Sequence, residues 1–199
     1  MAAPMRSYGV DRETEMELVR RVRAGEEAAF DAVYSVFNAR LLGFLARLTR
    51  RREVAEELLE ETWLRFVRHA DRLQPDTQLA SWLFTVARNL HVSYCRTRAL
   101  ETDFAGSLSL WPSRPVETPF ELASRTEFER RVEAAVADLP TTFREAILLV
   151  GVEGLQPSEA AAICGITAEA MRQRLRRARV LLAERLGYSL SELRLRTGA

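Results

Sequence analysis

Between Ala168 and Arg179 the chain sets Arg172, Arg174, Arg176, Arg177 and Arg179 against a single acid, Glu169, a local charge of +4 in a chain of net charge +1. Guanidinium groups are planar forks of N–H donors that match phosphate oxygens and guanine edges. With Gln173 among them, Arg172, Arg176, Arg177 and Arg179 have the chemistry of a surface that meets DNA phosphates and base edges. An isolated basic helix is as often a solvated face, so the elements around the run decide its meaning. Other chemistry is sparse. Two histidines and no glycine-rich phosphate loop leave no convergent nucleophile, base or metal set of the kind catalysis needs. Cys95 and Cys164 are too few for a disulfide scaffold or a structural zinc site, and fit a reducing cytoplasm. His91 and Cys95 stand four apart and could share a metal, yet two ligands fall short. Cys164 fills an apolar position and reads as a packed, inert thiol. No cofactor, metal or catalytic residue is assigned, and no enzyme activity is expected.

The element that must position the arginines begins at Pro157. In PSEAAAICGITAEAMRQRLR, Pro157 suits a first helical turn, Ala161 permits close helix approach, Gly165 can take a left-handed turn and Thr167 can cap a second helix. This is helix-turn-helix spacing. Met171, Leu175, Ala178 and Leu182 then pack the second helix inward, which makes the arginine face the outer side of a recognition helix for the major groove.

Upstream the periodicity is helical throughout, with no period-2 alternation. Leu18, Val19 and Val22 mark a short helix that Asp11 could cap and Gly25 could end. Phe30, Val33, Tyr34, Phe37, Leu41, Phe44, Leu45 and Leu48 form the stripe of a long second helix. Val54, Leu58, Thr62, Trp63, Phe66 and Val67 give a third; Leu79, Trp82, Leu83, Val86, Ala87, Leu90 and Tyr94 give a fourth. From 100 to 124 prolines, Ser/Thr and Gly break the pattern, as in a flexible linker that spans about 80 Å when extended. Periodicity resumes at Phe128, Val132, Ala135, Val136 and Leu139, and again from Phe143 to Val150. The fold expected is all-α: a helical domain over 11–99, the linker 100–124, a helix-turn-helix domain over 125–187 and a tail over 188–199.

The chain's 199 residues and 22.6 kDa allow two small domains, and 47% hydrophobic with 29% charged residues describe a soluble globular protein. No stretch reaches the ~18 apolar residues of a membrane span, and the N-terminus lacks an apolar signal core. All 29 basic residues are arginine, which codon bias accounts for better than selection of planar bidentate donors for phosphate and base edges.

In order and spacing, AGEEAAFDAVY (24–34), EVAEELLEETWLRFVRHADRL (53–73), SWLFTVARNL (81–90), DLPTTFREAILLVGVEGLQPSEAAAICGIT (138–167) and RQRLRRARVLL (172–182) resemble the extracytoplasmic function (ECF) sigma factors of bacteria. These compact initiation factors carry conserved regions 2 and 4. The resemblance covers nearly the whole chain.

It implies a cytoplasmic protein that binds core RNA polymerase and directs promoter-specific initiation. Glu53, Glu56, Glu57, Glu60 and Glu61, with no basic residue among them, would be an acidic face docking on the polymerase clamp. Glu57 and Glu60 depart from the usual aspartate and glutamine. A solvated helix flank is the other reading of these acids. Ala70 to Ala80, with Gln74 and Asp76, would form the loop that captures an unstacked base of the -10 element. Beside it, a helix over Ser81 to Arg98 carries Arg88, Asn89, His91, Arg96 and Arg98 in an acid-free stretch suited to a single strand. Trp82 and Tyr94 lie on the apolar stripe and read as core. Ser93 replaces a frequent acid, so no role is assigned to it.

Arg172, Gln173, Arg176 and Arg177 would read the -35 duplex, Ala170 lacking the hydroxyl of a usual threonine. Leu108, Leu110 and Trp111 of the linker would contact the core enzyme. The linker is long enough for promoter elements about 70 Å apart. Control by an anti-sigma factor is a further implication. The alternative is a conventional helix-turn-helix regulator that binds duplex operators unaided.

Overall fold

The computed structural model describes residues 12–105 and 126–188, with the side chains of 101–105 excepted. The described residues are helical, without a strand. The chain divides into two compact units, with the boundary between Pro115 and Val116.

The first unit contains α1 (Arg12–Arg23), α2 (Glu27–Thr49), α3 (Arg52–His69), a 3-10 turn (Ala70–Arg72) and α4 (Leu79–Ala105). α1 ends where expected: Gly25 has φ 77° and its N–H donates to the Val22 carbonyl at 3.0 Å. Asp11 lies outside the described residues. The core is where α2, α3 and α4 meet. Phe66 is fully buried and its ring lies 5.5 Å from Phe30, 5.8 Å from Trp63 and 5.7 Å from Trp82, while Phe44 meets Phe84 edge-on at 5.2 Å. Such edge and tilted pairs favour the ring quadrupoles as well as burying area.

The expected stripes hold with two corrections. Tyr34 is half exposed and leans on Trp63 at 4.9 Å; Val67 is exposed, and Leu59 takes the buried place on α3. The buried stripe of α3 is Val54, Ala55, Leu59, Thr62 and Phe66, with Ala55 and Leu59 in the places expected for Leu58 and Val67. α4 also starts earlier and ends later than Ser81–Arg98, running to Ala105 into the segment expected to be linker. Leu-Glu-Thr at 100–102 holds no proline or glycine to stop it. The rest of the linker, including Leu108, Leu110 and Trp111, lies outside the described residues, as does the tail from residue 189.

The second unit contains α5 (Glu127–Ala137), α6 (Thr141–Ala146), which continues as a π-helical segment (Ile147–Val152), α7 (Pro157–Cys164) and α8 (Ala168–Leu186). Thr126 closes a capping box with Glu129 at the start of α5. Arg144 is buried and donates to the carbonyls of Val136, Ala137 and Leu139, so it satisfies the end of α5 from α6. α8 packs against α5, α6 and α7.

Candidate nucleic-acid interface

Each expected device of the helix-turn-helix is in place. Pro157 opens α7, and Gly165 ends it at φ 65°, with its N–H donating to Ala162 and the Ile166 N–H to Ala161. Thr167 Oγ1 accepts from the Ala170 N–H at 3.1 Å and caps α8. Ala161, Met171, Leu175, Ala178 and Leu182 are buried, and Cys164 is buried with Sγ 4.0 Å from Glu145 Oε2.

With that stripe inward, Arg172, Gln173, Arg176 and Arg177 are exposed, while Arg179 is half-buried. Arg172, Gln173, Arg176 and Arg177, with Glu169, Phe143, Val180 and Leu181, line an open groove of about 790 Å³. Arg172 is already engaged: its Nε and Nη2 donate to Glu169 Oε2 at 3.0 and 2.7 Å. That hydrogen bond, with the guanidinium charge and a contact from Gln173, lowers the Glu169 pKa below the ordinary glutamate value. The face is therefore two arginines, Arg176 and Arg177, open to a partner, with Arg172 and Gln173 drawn to the Glu169 carboxylate beside them.

In the first unit, Gln74 and Asp76 are exposed in the loop 73–78 between two buried leucines, Leu73 and Leu79. The Thr77 N–H donates to the Gln74 carbonyl at 3.0 Å and tightens this loop. Of the expected loop Ala70–Ala80 only 73–78 is irregular, because Ala70–Arg72 is a 3-10 turn and Leu79 begins α4. Sequence periodicity gave no sign of what anchors it: Glu15 and Arg12 of α1 bond to Leu79 and Asp76.

On α4, Asn89, Arg96 and Arg98 are exposed and Arg88 is half-buried. At about 100° per residue, Asn89 and Arg96 lie about 80–100° to one side of Arg88 and Arg98 about 80° to the other, opposite Asn89. His91 is corrected: only 3% exposed, with Nε2 3.4 Å from Cys95 Sγ, it belongs to the core and not to a strand-facing surface. Trp82 is half-buried, its ring against Phe66 and His69 at 5.7 and 6.3 Å. No group of three or more metal-ligating side chains exists among the described residues.

The five glutamates occupy one side of α3. Glu53, Glu56, Glu57 and Glu60 are exposed and Glu61 half-buried. The face is less purely acidic than expected, since Arg52 donates to Glu56 at 2.9 Å and Arg65 to Glu61 at 2.8 Å. Helical spacing also puts Leu64 and Val67, 49% and 59% exposed, on this same side. Sequence reading missed Leu64 and turned Val67 inward. An acidic patch that runs into exposed apolar side chains suits a protein partner better than a solvated flank.

A two-unit helical chain with a basic recognition helix defines a DNA-binding protein, and comparison with known proteins narrows the class. Residues 33–101 match Sigma-70 region 2, and residues 129–182 match Sigma-70 region 4. The chain is 36% identical over 148 residues to the ECF RNA polymerase sigma factor EcfG of Rhodopseudomonas palustris, covering 72% of this chain and 77% of that protein. It is 32% identical over 175 residues to the RNA polymerase sigma factor CarQ of Myxococcus xanthus, covering 85% and 95%. Among solved structures, the sigma factor RpoE of Bartonella quintana, in complex with the anti-sigma factor NepR, superposes with a TM-score of 0.67 at 27% identity, covering 79% of this chain and 96% of that one.

The chain belongs to the ECF RNA polymerase sigma factors. As such it binds core RNA polymerase and directs promoter-specific initiation of transcription, in a family of initiation factors with no catalysis of their own. The regulator alternative loses its basis, because region 2 occupies the place of a ligand or dimerisation domain. Among the described residues no helix is long and apolar enough to cross a membrane.

Proposed function

We propose that the two units divide promoter recognition between them. The helix-turn-helix unit, 125–187, reads the -35 duplex with Arg172, Gln173, Arg176 and Arg177. The helical unit from residue 11 through α4 takes the -10 strand on the loop bearing Gln74 and Asp76 and on Arg88, Asn89 and Arg96; Arg98 serves the strand from the other side of α4. The observation that carries this reading is the exposed Arg172–Arg177 face on a capped second helix whose opposite face is fully packed. Glu53, Glu56, Glu57, Glu60 and Glu61, continued by Leu64 and Val67, dock on core polymerase. The residues beyond α4 connect the two units, and 188–199 is a tail. The chain performs no reaction itself and works in the cytoplasm, where its polymerase is.

An anti-sigma factor restrains it in this reading. The support is the relative from Bartonella quintana, whose structure was solved with its anti-sigma factor.

The division of roles is tested by paired assays of Arg176→Ala and Leu64→Glu. The first variant loses -35 duplex affinity and keeps core polymerase in a pull-down; the second does the reverse. Equal loss of both activities in either variant overturns the division.

A further inference from the structure

α1 and the loop before α4 are joined by two bonds between residues distant in sequence. Glu15 Oε1 accepts from the Leu79 N–H at 2.9 Å, and Arg12 Nη2 donates to the Asp76 carbonyl at 3.3 Å. Leu79 is the first residue of α4, and the opening N–H groups of a helix have no carbonyl of their own helix to bond. α4 has no acidic side chain in its first turn. Half-buried Glu15 supplies from another helix both the acceptor and the negative charge that a helix start favours. α1 also packs on the 3-10 turn Ala70–Arg72 that leads into the loop. One helix therefore fixes the way into the loop, a carbonyl within it and the way out.

α1 lies outside residues 33–101, the span that matches region 2. We propose that Glu15, supported by Arg12, is a positioning residue for -10 recognition: it holds the loop bearing Gln74 and Asp76 in the shape that captures a base. This rests on the loop reading given above. Glu15 acts through the Leu79 N–H, so what it requires is an acceptor oxygen rather than a charge alone.

The test uses holoenzyme assembled from core polymerase and the full chain. A pool of single-stranded oligonucleotides randomised over the -10 positions is selected on wild type, and each variant is then titrated with enriched and depleted sequences. Glu15→Ala is expected to lose about tenfold of the preference for enriched strands, the size of one bond to a charged acceptor. Glu15→Gln keeps an acceptor without the charge and is expected to lose only about twofold, clearly less than Glu15→Ala. Core binding and -35 duplex binding stay unchanged in both. If Glu15→Ala keeps its preference while Asp76→Ala or Gln74→Ala loses it, the positioning role is overturned and the loop reading stands. If all three keep it, the loop reading fails and the positioning role with it. A loss by Glu15→Ala that comes only together with lost core binding marks general unfolding and overturns the proposal as well.

Discussion

Arg172 and Arg176 sit one helical turn apart on the same exposed face, yet they are not equivalent. Arg176 is exposed beside the groove, while Arg172 is held by Glu169. Arg176→Ala is expected to weaken -35 binding by about 1–3 kcal/mol, the range of a base-reading arginine. Arg172→Ala should cost less, because the wild-type side chain must first leave its carboxylate. Glu169→Gln should strengthen duplex binding by freeing Arg172 and removing a negative charge that faces phosphate; titration of one -35 duplex with the three variants checks the order. The paired Glu169 has a lowered pKa, so its bond to Arg172 is present above the ordinary glutamate range and is lost as pH falls through the lowered value. Duplex binding should therefore gain from release of Arg172 only below the range where an unpaired glutamate protonates. The arginine positions were legible because charge in a helical register announces itself; the tether was legible only as Glu169 three residues before Arg172. Burial of His91 was marked only by register: it stands four residues after Ala87 and three before Tyr94, beside the stripe of α4, while its polar ring groups it with the neighbouring arginines.

The helix-turn-helix was readable as an element because its constraints are local. A proline at the first turn, a glycine at φ 65° and a threonine cap act within a few residues, and each took its expected place. Nothing lies within 4 Å of where a Cβ on Gly165 would stand, so Gly165→Ala is opposed by its backbone alone, at about 1–2 kcal/mol. Thr167→Ala removes the cap of α8 and should cost about 1 kcal/mol. Both are checked by thermal unfolding of the chain, and both should also lower -35 affinity, because they loosen the end of α8 that leads to Arg172. What sequence could not supply at this scale depends on other helices. The choice of Leu59 over Val67 on α3, the burial of Arg144 as a cap for α5 and the Glu15 bond to α4 all arise from packing between elements. The π-helical segment at Ile147–Val152 likewise gave no signal in an apolar run that any helix accommodates.

Across the whole molecule, a net charge of +1 conceals segregation: glutamates on one side of α3, arginines along α8 and an acid-free stretch on α4. If the α8 arginines also bind phosphate, -35 affinity of the holoenzyme should fall steeply with salt through counterion release, and Arg177→Ala should flatten the log–log slope by about 1. An unchanged slope would remove phosphate contact from Arg177. The order of the motifs made the division into two units legible, whereas the extent of α4 was not, because no breaker stands at residue 100. The most direct test of the central claim is reconstituted transcription: core polymerase, this chain and a library of promoter fragments. The expected result is initiation at defined start sites on a discrete subset of fragments, dependent on the chain and lost with Arg176→Ala. Transcripts no different from those of core polymerase alone, together with tight binding of the free chain to duplex operators, would contradict it.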